Sequence, residues 1–191
     1  KSMKFPPIAL GSLSPRRLQL LESLDLTVRV LEVKHKEEID GFSPIEKIPA
    51  DLARAKSLAI RDQRQSSEIL LTADTVVILE GQILHKPKES QEAKSMLHAL
   101  SNKWHEVITG VCLFRDNEII FSERTRVHMT EISPQAIEYY VDKFKPYDKA
   151  GAYGIQEWIG WSHVDRIEGS FANVMGLPTQ RVYHELMTHF Q

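Results

Sequence analysis

Gly11-Ser12-Leu13-Ser14-Pro15-Arg16-Arg17 gathers two hydroxyls and two guanidiniums within seven consecutive residues. The run follows an apolar stretch, Ile8-Ala9-Leu10, and precedes a helical pattern with Leu18, Leu21 and Leu24 on one face. Ser14 with Pro15 predicts a helix start: the hydroxyl accepts an otherwise unpaired amide, and proline has no amide to leave unpaired. The amides of that helix end, the Ser12 and Ser14 hydroxyls and the Arg16 and Arg17 side chains would then converge. Such a convergence attracts phosphate through hydrogen bonds and the helix dipole. An ordinary capped helix with two solvated arginines has the same sequence, so the run alone leaves both readings open.

Carboxylates supply a second kind of chemistry. Asp74 is expected at the carboxyl end of a buried strand, where α/β sheets commonly bind ligands, and Glu37-Glu38 falls in a polar stretch. Hard oxygen donors of this type suit Mg²⁺ or Mn²⁺, which bridge carboxylates and substrate phosphates. A turn cap at Asp74 and a solvated loop at Glu37-Glu38 are the local alternatives. Lys56, in a helix ahead of the Asp74 strand, and Lys86, its backbone fixed by Pro87, add positive charge, though surface solvation is the ordinary fate of a lysine. In Asp148-Lys149-Ala150-Gly151-Ala152-Tyr153-Gly154-Ile155-Gln156, two glycines allow close backbone approach to a ligand. Gln156 ends that run with both donors and acceptors, suited to a nucleobase edge; a structural turn is the alternative.

Several other site types are missing from the sequence. It has no Gly-x4-Gly-Lys-Ser/Thr phosphate loop, no Gly-x-Gly-x-x-Gly fingerprint, no cysteine pair and no His-Glu-x-x-His. Ser12 and Ser14 have no evident His–Asp partners for nucleophilic catalysis.

Alternating strands and helices are expected to position these residues. Ile8–Leu10, Thr27–Val33 and Ile69–Thr72 read as strands, and Ile48, Leu52, Ala55 and Ala59 mark a helix. Val76–Leu79 and Ile83–Leu84 flank a hairpin turn at Glu80-Gly81. Ser90 should cap a helix with Ala93, Met96, Leu97 and Leu100 inward, and Ser133-Pro134 repeats the device used at Ser14-Pro15. Val107–Phe114 and Ile119–Met129 form a long hairpin, and the stretch from Lys145 to Ser170 reads as a functional loop with short strands. Gly176-Leu177-Pro178 opens a last helix carrying Val182, Leu186 and Phe190. Helical crossovers followed by hairpins give an α/β class with a mixed sheet.

The chain has 191 residues, 42% hydrophobic and 26% charged, enough for a sizeable core. A net charge of −2 argues against a general nucleic-acid surface, so phosphate recognition should be local. The single cysteine, Cys112, sits in an apolar strand and reads as a core residue, in keeping with a reducing cytoplasm. No membrane span or signal peptide is expected. Lys1 in place of an initiator Met is read as a trimmed or artificially introduced start.

Taken in order along the chain, Leu10 to Arg17, Ala73-Asp74-Thr75-Val76-Val77, Lys86-Pro87, Thr109-Gly110-Val111, Asp148 to Gln156, and Gly169-Ser170 with Val174 to Pro178 resemble the Maf family of nucleoside triphosphate pyrophosphatases, known as septum-formation proteins. The resemblance implies one Maf-like domain over residues 1–191. Its fold would be a strongly curved mixed β-sheet flanked by helices, with two lobes around a deep cleft, as a cytoplasmic homodimer. It implies hydrolysis of a nucleoside triphosphate to the monophosphate and pyrophosphate, assisted by a divalent cation (Mg²⁺, Mn²⁺ or Co²⁺). Asp74 matches the general base; Ser12, Ser14, Arg16, Lys56 and Lys86 match phosphate contacts; Glu38 with Asp74 matches a metal site, which Glu37 could serve instead of Glu38. Arg17, Thr75 and Gln156 match the branch acting on dTTP and UTP, where a 7-methyl-GTP branch would have Trp, Gln and Glu. Glu157 departs from that branch, in which glycine commonly follows the glutamine. Two rivals stand beside this reading: a non-catalytic pyrimidine-nucleotide sensor in septation, and the same chemistry on 7-methyl-GTP or non-standard purine triphosphates.

Overall fold

The computed structural model describes residues 3–33 and 43–191. Ser14 starts helix α1 (Pro15–Glu22), its hydroxyl accepting the Arg17 amide at 3.4 Å with Pro15 in the first turn. Ser133 does the same for α4 (Pro134–Phe144), accepting the Ala136 amide at 3.1 Å. Helix α3 (Ser90–Leu100) departs from expectation: Ser90 lies inside it, and no side chain caps its first residue. Instead the Glu92 carboxylate, in the first turn, accepts the Lys88 amide at 2.9 Å, a reach-back that also suits negative charge at a helix start. The remaining helices are α2 (Ile48–Ile60), α5 (Trp158–His163), α6 (Phe171–Met175) and α7 (Thr179–His189). Among the described residues no helix is long and apolar enough to cross a membrane.

The strands are β1 (Ile8–Leu10), β2 (Val28–Val30), β3 (Ile69–Leu79), β4 (Gln82–Leu84), β5 (Trp104–Phe114), β6 (Glu118–Met129) and β7 (Val164–Glu168). They form a seven-stranded mixed sheet in the order β2-β1-β3-β5-β6-β7, with β4 paired to β3. β1 is parallel to both β2 and β3, whereas β4 is antiparallel to β3 and β7 to β6. The β3–β4 turn has positive φ at both central residues, Glu80 (50°) and Gly81 (78°), the backbone that matches the twist of a two-residue hairpin.

Three expectations need correction. β3 does not end near Asp74: it runs unbroken for 11 residues, with Asp74 in its interior. The polar Asp74-Thr75 pair mimics a strand end, yet Asp74 is accommodated by a buried partner. β2 covers only Val28–Val30 of the expected Thr27–Val33, as a half-exposed strand at the sheet's edge. The stretch from Lys145 to Ser170 is largely built: a short 3-10 turn (Ala150–Ala152), helix α5 and strand β7.

The chain divides into two compact units. The first comprises Lys1–Asp74, Thr109–Glu123 and Gly176–Gln191; the second comprises Thr75–Ile108 and Arg124–Met175. Ile8, Leu10, Leu21, Ile69, Leu71, Val111, Leu113, Leu177, Val182, Leu186 and Phe190 belong to the core of the first unit. The second packs Val77, Leu79, Leu97, Leu100, Val107, Val127, Tyr140, Val141, Tyr153 and Ile159. Fold class is therefore as the sequence indicates: α/β, with helices packed on a mixed sheet.

Candidate active site

In the first unit, strand alternation puts Thr72 and Asp74 on the same face of β3, and α2 covers that face. The Thr72 hydroxyl donates to the Ala53 carbonyl at 2.6 Å. One turn further along α2, the Lys56 ammonium donates to Asp74 Oδ1 at 3.0 Å and to the Ala73 carbonyl at 3.3 Å. The pair is nearly enclosed, with side-chain exposures of 11% for Lys56 and 7% for Asp74. Gly110 explains how the helix comes so close: a Cβ there would overlap the Pro49 and Ala50 backbone.

β1 delivers the hydroxyl and guanidinium run to the same end of the sheet. Leu10 pairs with Leu71 in parallel, and the Gly11 amide donates to the Leu71 carbonyl at 2.9 Å. The chain thus leaves β1 alongside the segment of β3 that leads to Asp74. Ser12 Oγ accepts from the Ser14 amide at 3.2 Å and from Arg17 Nη1 at 3.3 Å. With two hydrogen bonds accepted, its hydroxyl still carries one hydrogen with which to donate. Ser14 Oγ spends an acceptor position on the Arg17 amide and likewise keeps a donor. Arg17 Nε donates to the Gly176 carbonyl at 2.8 Å, which ties the opening turn to the segment before α7. Arg16 is half-buried in the first turn of α1.

The second unit carries Thr75, Lys86 and Gln156. Lys86 is exposed beside the buried Pro87, and Thr75 is half-buried in β3. Gln156 follows a tight segment in which the Glu157 amide donates to the Gly154 carbonyl at 3.0 Å. The Trp161 indole donates to the Gln156 carbonyl at 3.0 Å, and Trp161 itself is 74% exposed. Gln156 Oε1 is buried with no hydrogen-bond donor among the described residues. A buried amide oxygen in that condition invites a donor from a ligand.

Glu37 and Glu38, the expected metal acids, lie outside the described residues. Among the described residues no cluster of three or more His, Cys, Asp or Glu could hold a metal ion. Of the two expected metal ligands, Glu38 and Asp74, the described residues include Asp74, a hard oxygen donor.

Two networks in the second unit escaped sequence reasoning. Asn173, fully buried, donates to the Val107 carbonyl at 3.3 Å and to Thr125 Oγ1 at 2.9 Å, beside the positive-φ Gly169. Tyr140, which the helical pattern assigns to the core, donates its hydroxyl to Glu157 Oε1 at 2.9 Å and accepts the Gly154 amide at 3.0 Å. For the second network the advance signal was Glu157 itself, directly after Gln156 and in place of the expected glycine.

Comparison with known proteins gives these residues a context. Residues 7–189 match the family model described as "Maf-like protein". A dTTP/UTP pyrophosphatase of Parabacteroides distasonis is 46% identical over 193 residues, covering 100% of this chain and 99% of that protein. A dTTP/UTP pyrophosphatase of Porphyromonas gingivalis is 47% identical, covering 97% of this chain and 95% of its own length. The solved structure of the Staphylococcus aureus Ham1 protein overlays with a TM-score of 0.43 at 13% identity, over 67% of this chain and 72% of that one. The match to the family model runs nearly end to end, and it includes the opening turn, Asp74, Lys86 and Gln156. This chain belongs to the Maf-like protein family.

Proposed function

We propose that the protein hydrolyses dTTP and UTP to the nucleoside monophosphate and pyrophosphate. The observation that carries the chemistry is the buried Lys56–Asp74 pair on β3, alongside which β1 delivers the Ser12–Arg17 turn. Similarity over nearly the full length, at 46–47% identity, to relatives named dTTP/UTP pyrophosphatase supports the substrate.

In this reading water attacks the α-phosphorus, its proton passes to Asp74, and the bond from the α-phosphorus to the bridging oxygen breaks to release pyrophosphate. A positioned carboxylate base is suited to that proton transfer. The Ser12 and Ser14 hydroxyls, the α1 amides, Arg16, Lys56 and Lys86 hold the phosphate oxygens and favour the charge that accumulates on the leaving group. A divalent cation (Mg²⁺, Mn²⁺ or Co²⁺) held by Asp74 with Glu38, or with Glu37 in its place, would neutralise phosphate charge and acidify water.

Arg17, Thr75 and Gln156 select the base. The donor-hungry Gln156 Oε1 suits a ring that carries an N–H on its pairing edge. Thymine and uracil present one at N3 between two carbonyl acceptors, whereas cytosine presents a bare N3 acceptor there with its amino donor displaced to C4. A polar site left unpaired by the wrong base rejects it strongly.

The test is pyrophosphate release from dTTP, UTP, dCTP, dGTP and 7-methyl-GTP, each with Mg²⁺, Mn²⁺ or Co²⁺. Turnover of dTTP and UTP well above the others is expected. Equal turnover of a purine triphosphate, or binding with no release under any metal, would refute the proposal and favour the modified-purine or sensor reading respectively.

A further inference from the structure

The residues around Glu157 form a closed device whose output is the backbone that carries Gln156. Tyr140, fully buried on α4, links the Gly154 amide to the Glu157 carboxylate through one hydroxyl, accepting from the first at 3.0 Å and donating to the second at 2.9 Å. Lys149 reaches the same Glu157 oxygen at 3.4 Å and Asp148 at 3.0 Å, and is itself only 12% exposed. A Cβ at Gly154 would meet the Glu157 carboxylate and the Lys149 stem, so any side chain there would require the pair to shift. On the far side, the Trp161 indole holds the Gln156 carbonyl, and the Trp161 amide returns to the Glu157 carbonyl at 3.3 Å. Residues 154 and 156 are thus anchored on both flanks, while Gln156 Oε1 stays buried with no donor among the described residues.

We infer that Glu157, with Tyr140 and Lys149, is a positioning group that sets base selectivity by fixing the backbone from which Gln156 is presented. A carboxylate mostly removed from solvent must be met by donors on the protein. Here those donors come from α4 and from the segment just ahead of Gly154, so satisfying Glu157 closes the 154–157 turn. None of the three touches the substrate in this assignment; they act through Gln156. The inference rests on Gln156 reading the base, and its test separates the two.

The test compares Glu157→Ala, Glu157→Gln, Tyr140→Phe and Gln156→Ala, with folding checked by circular dichroism melts. For Glu157→Ala and Tyr140→Phe the KM for dTTP should rise about tenfold while kcat stays within about threefold, the pattern of lost binding geometry rather than lost chemistry. Preference for dTTP over dCTP should fall in the same proportion. Glu157→Gln keeps an oxygen for the Tyr140 hydroxyl and should recover most of the KM. Folded Glu157→Ala and Tyr140→Phe proteins with unchanged KM and preference, when Gln156→Ala loses preference, overturn this inference alone. If Gln156→Ala retains the preference, the base-reading role of Gln156 falls and this inference with it. Should Tyr140→Phe fail to fold, the Glu157→Ala and Glu157→Gln pair decides.

Discussion

A carboxylate and an ammonium 3.0 Å apart, almost out of solvent, answer differently to the loss of either partner. Asp74→Asn keeps the shape and an oxygen for Lys56 to bond, so it is the milder change, though it removes the counter-charge along with the proposed base. Turnover should fall by at least ~10²-fold, the lower end for positioned acid–base groups, measured as steady-state pyrophosphate release at a temperature where the variant is folded by circular dichroism. Lys56→Met removes the ammonium and leaves a charged group facing a methyl thioether. Breaking a buried pair from one side costs about 3–5 kcal/mol, which a urea midpoint would register directly. An Asp74→Asn protein with near-normal turnover would remove the base assignment.

Element packing explains why these residues arrive together, and also why part of it was hidden. Gly110 on β5 lies against the first turn of α2 with backbone touching backbone. Gly110→Ala must push α2 back, at a cost of roughly 1–3 kcal/mol for overpacking. The shift should also carry Lys56 off Asp74, so a melting curve and kcat should fall together. The helix starts at Ser14 and Ser133 and the turn at Glu80-Gly81 were legible because each obeys a local rule of capping or twist. Asp74 stands out in the sequence as a candidate for chemistry, while its place inside β3 was illegible. Buried mid-strand charge breaks the local pattern, which is where functional sites commonly depart from it. The cap at Ser90 was misplaced since Glu92, three residues into the helix region, takes over the task from inside. The Tyr140–Glu157 link was out of reach altogether: it spans 17 positions in sequence, and Tyr140 fits the apolar face of α4.

At the scale of the whole molecule, acid should act through His105 before it acts on the carboxylates. His105 lies in the second unit's interior, its Nε2 2.5 Å from the Tyr153 hydroxyl. Burial, with a smaller contribution from His128, lowers its pKa from 6.5 to about 3. The folded protein therefore keeps it neutral where the unfolded chain binds a proton, and stability is lost as pH falls below 6.5. The slope for one such group is about 1.4 kcal/mol per pH unit. His163, also lowered by burial, adds in the same sense. Glu68 and Glu118 are held down by hydrogen bonds from Arg29 and Arg61, so their share of stability goes only below 4.5, the ordinary glutamate value. Urea unfolding at pH 7.5, 6 and 5 should show the decline, and His105→Gln should flatten it; a flat wild-type profile across that range would contradict the burial argument.

Trp161 leads somewhere else. Its ring is 74% exposed while its indole N–H is bound to the Gln156 carbonyl, the residue assigned to the base. Indole emission responds to that hydrogen bond and to solvent at the ring, so the molecule carries its own optical reporter one bond from the turn proposed to read the base. With Trp104 and Trp158 replaced by phenylalanine, the remaining fluorescence would follow nucleotide arrival in real time. It would do so even in a variant whose chemistry has been silenced, making occupancy and turnover separately visible in one unlabelled protein.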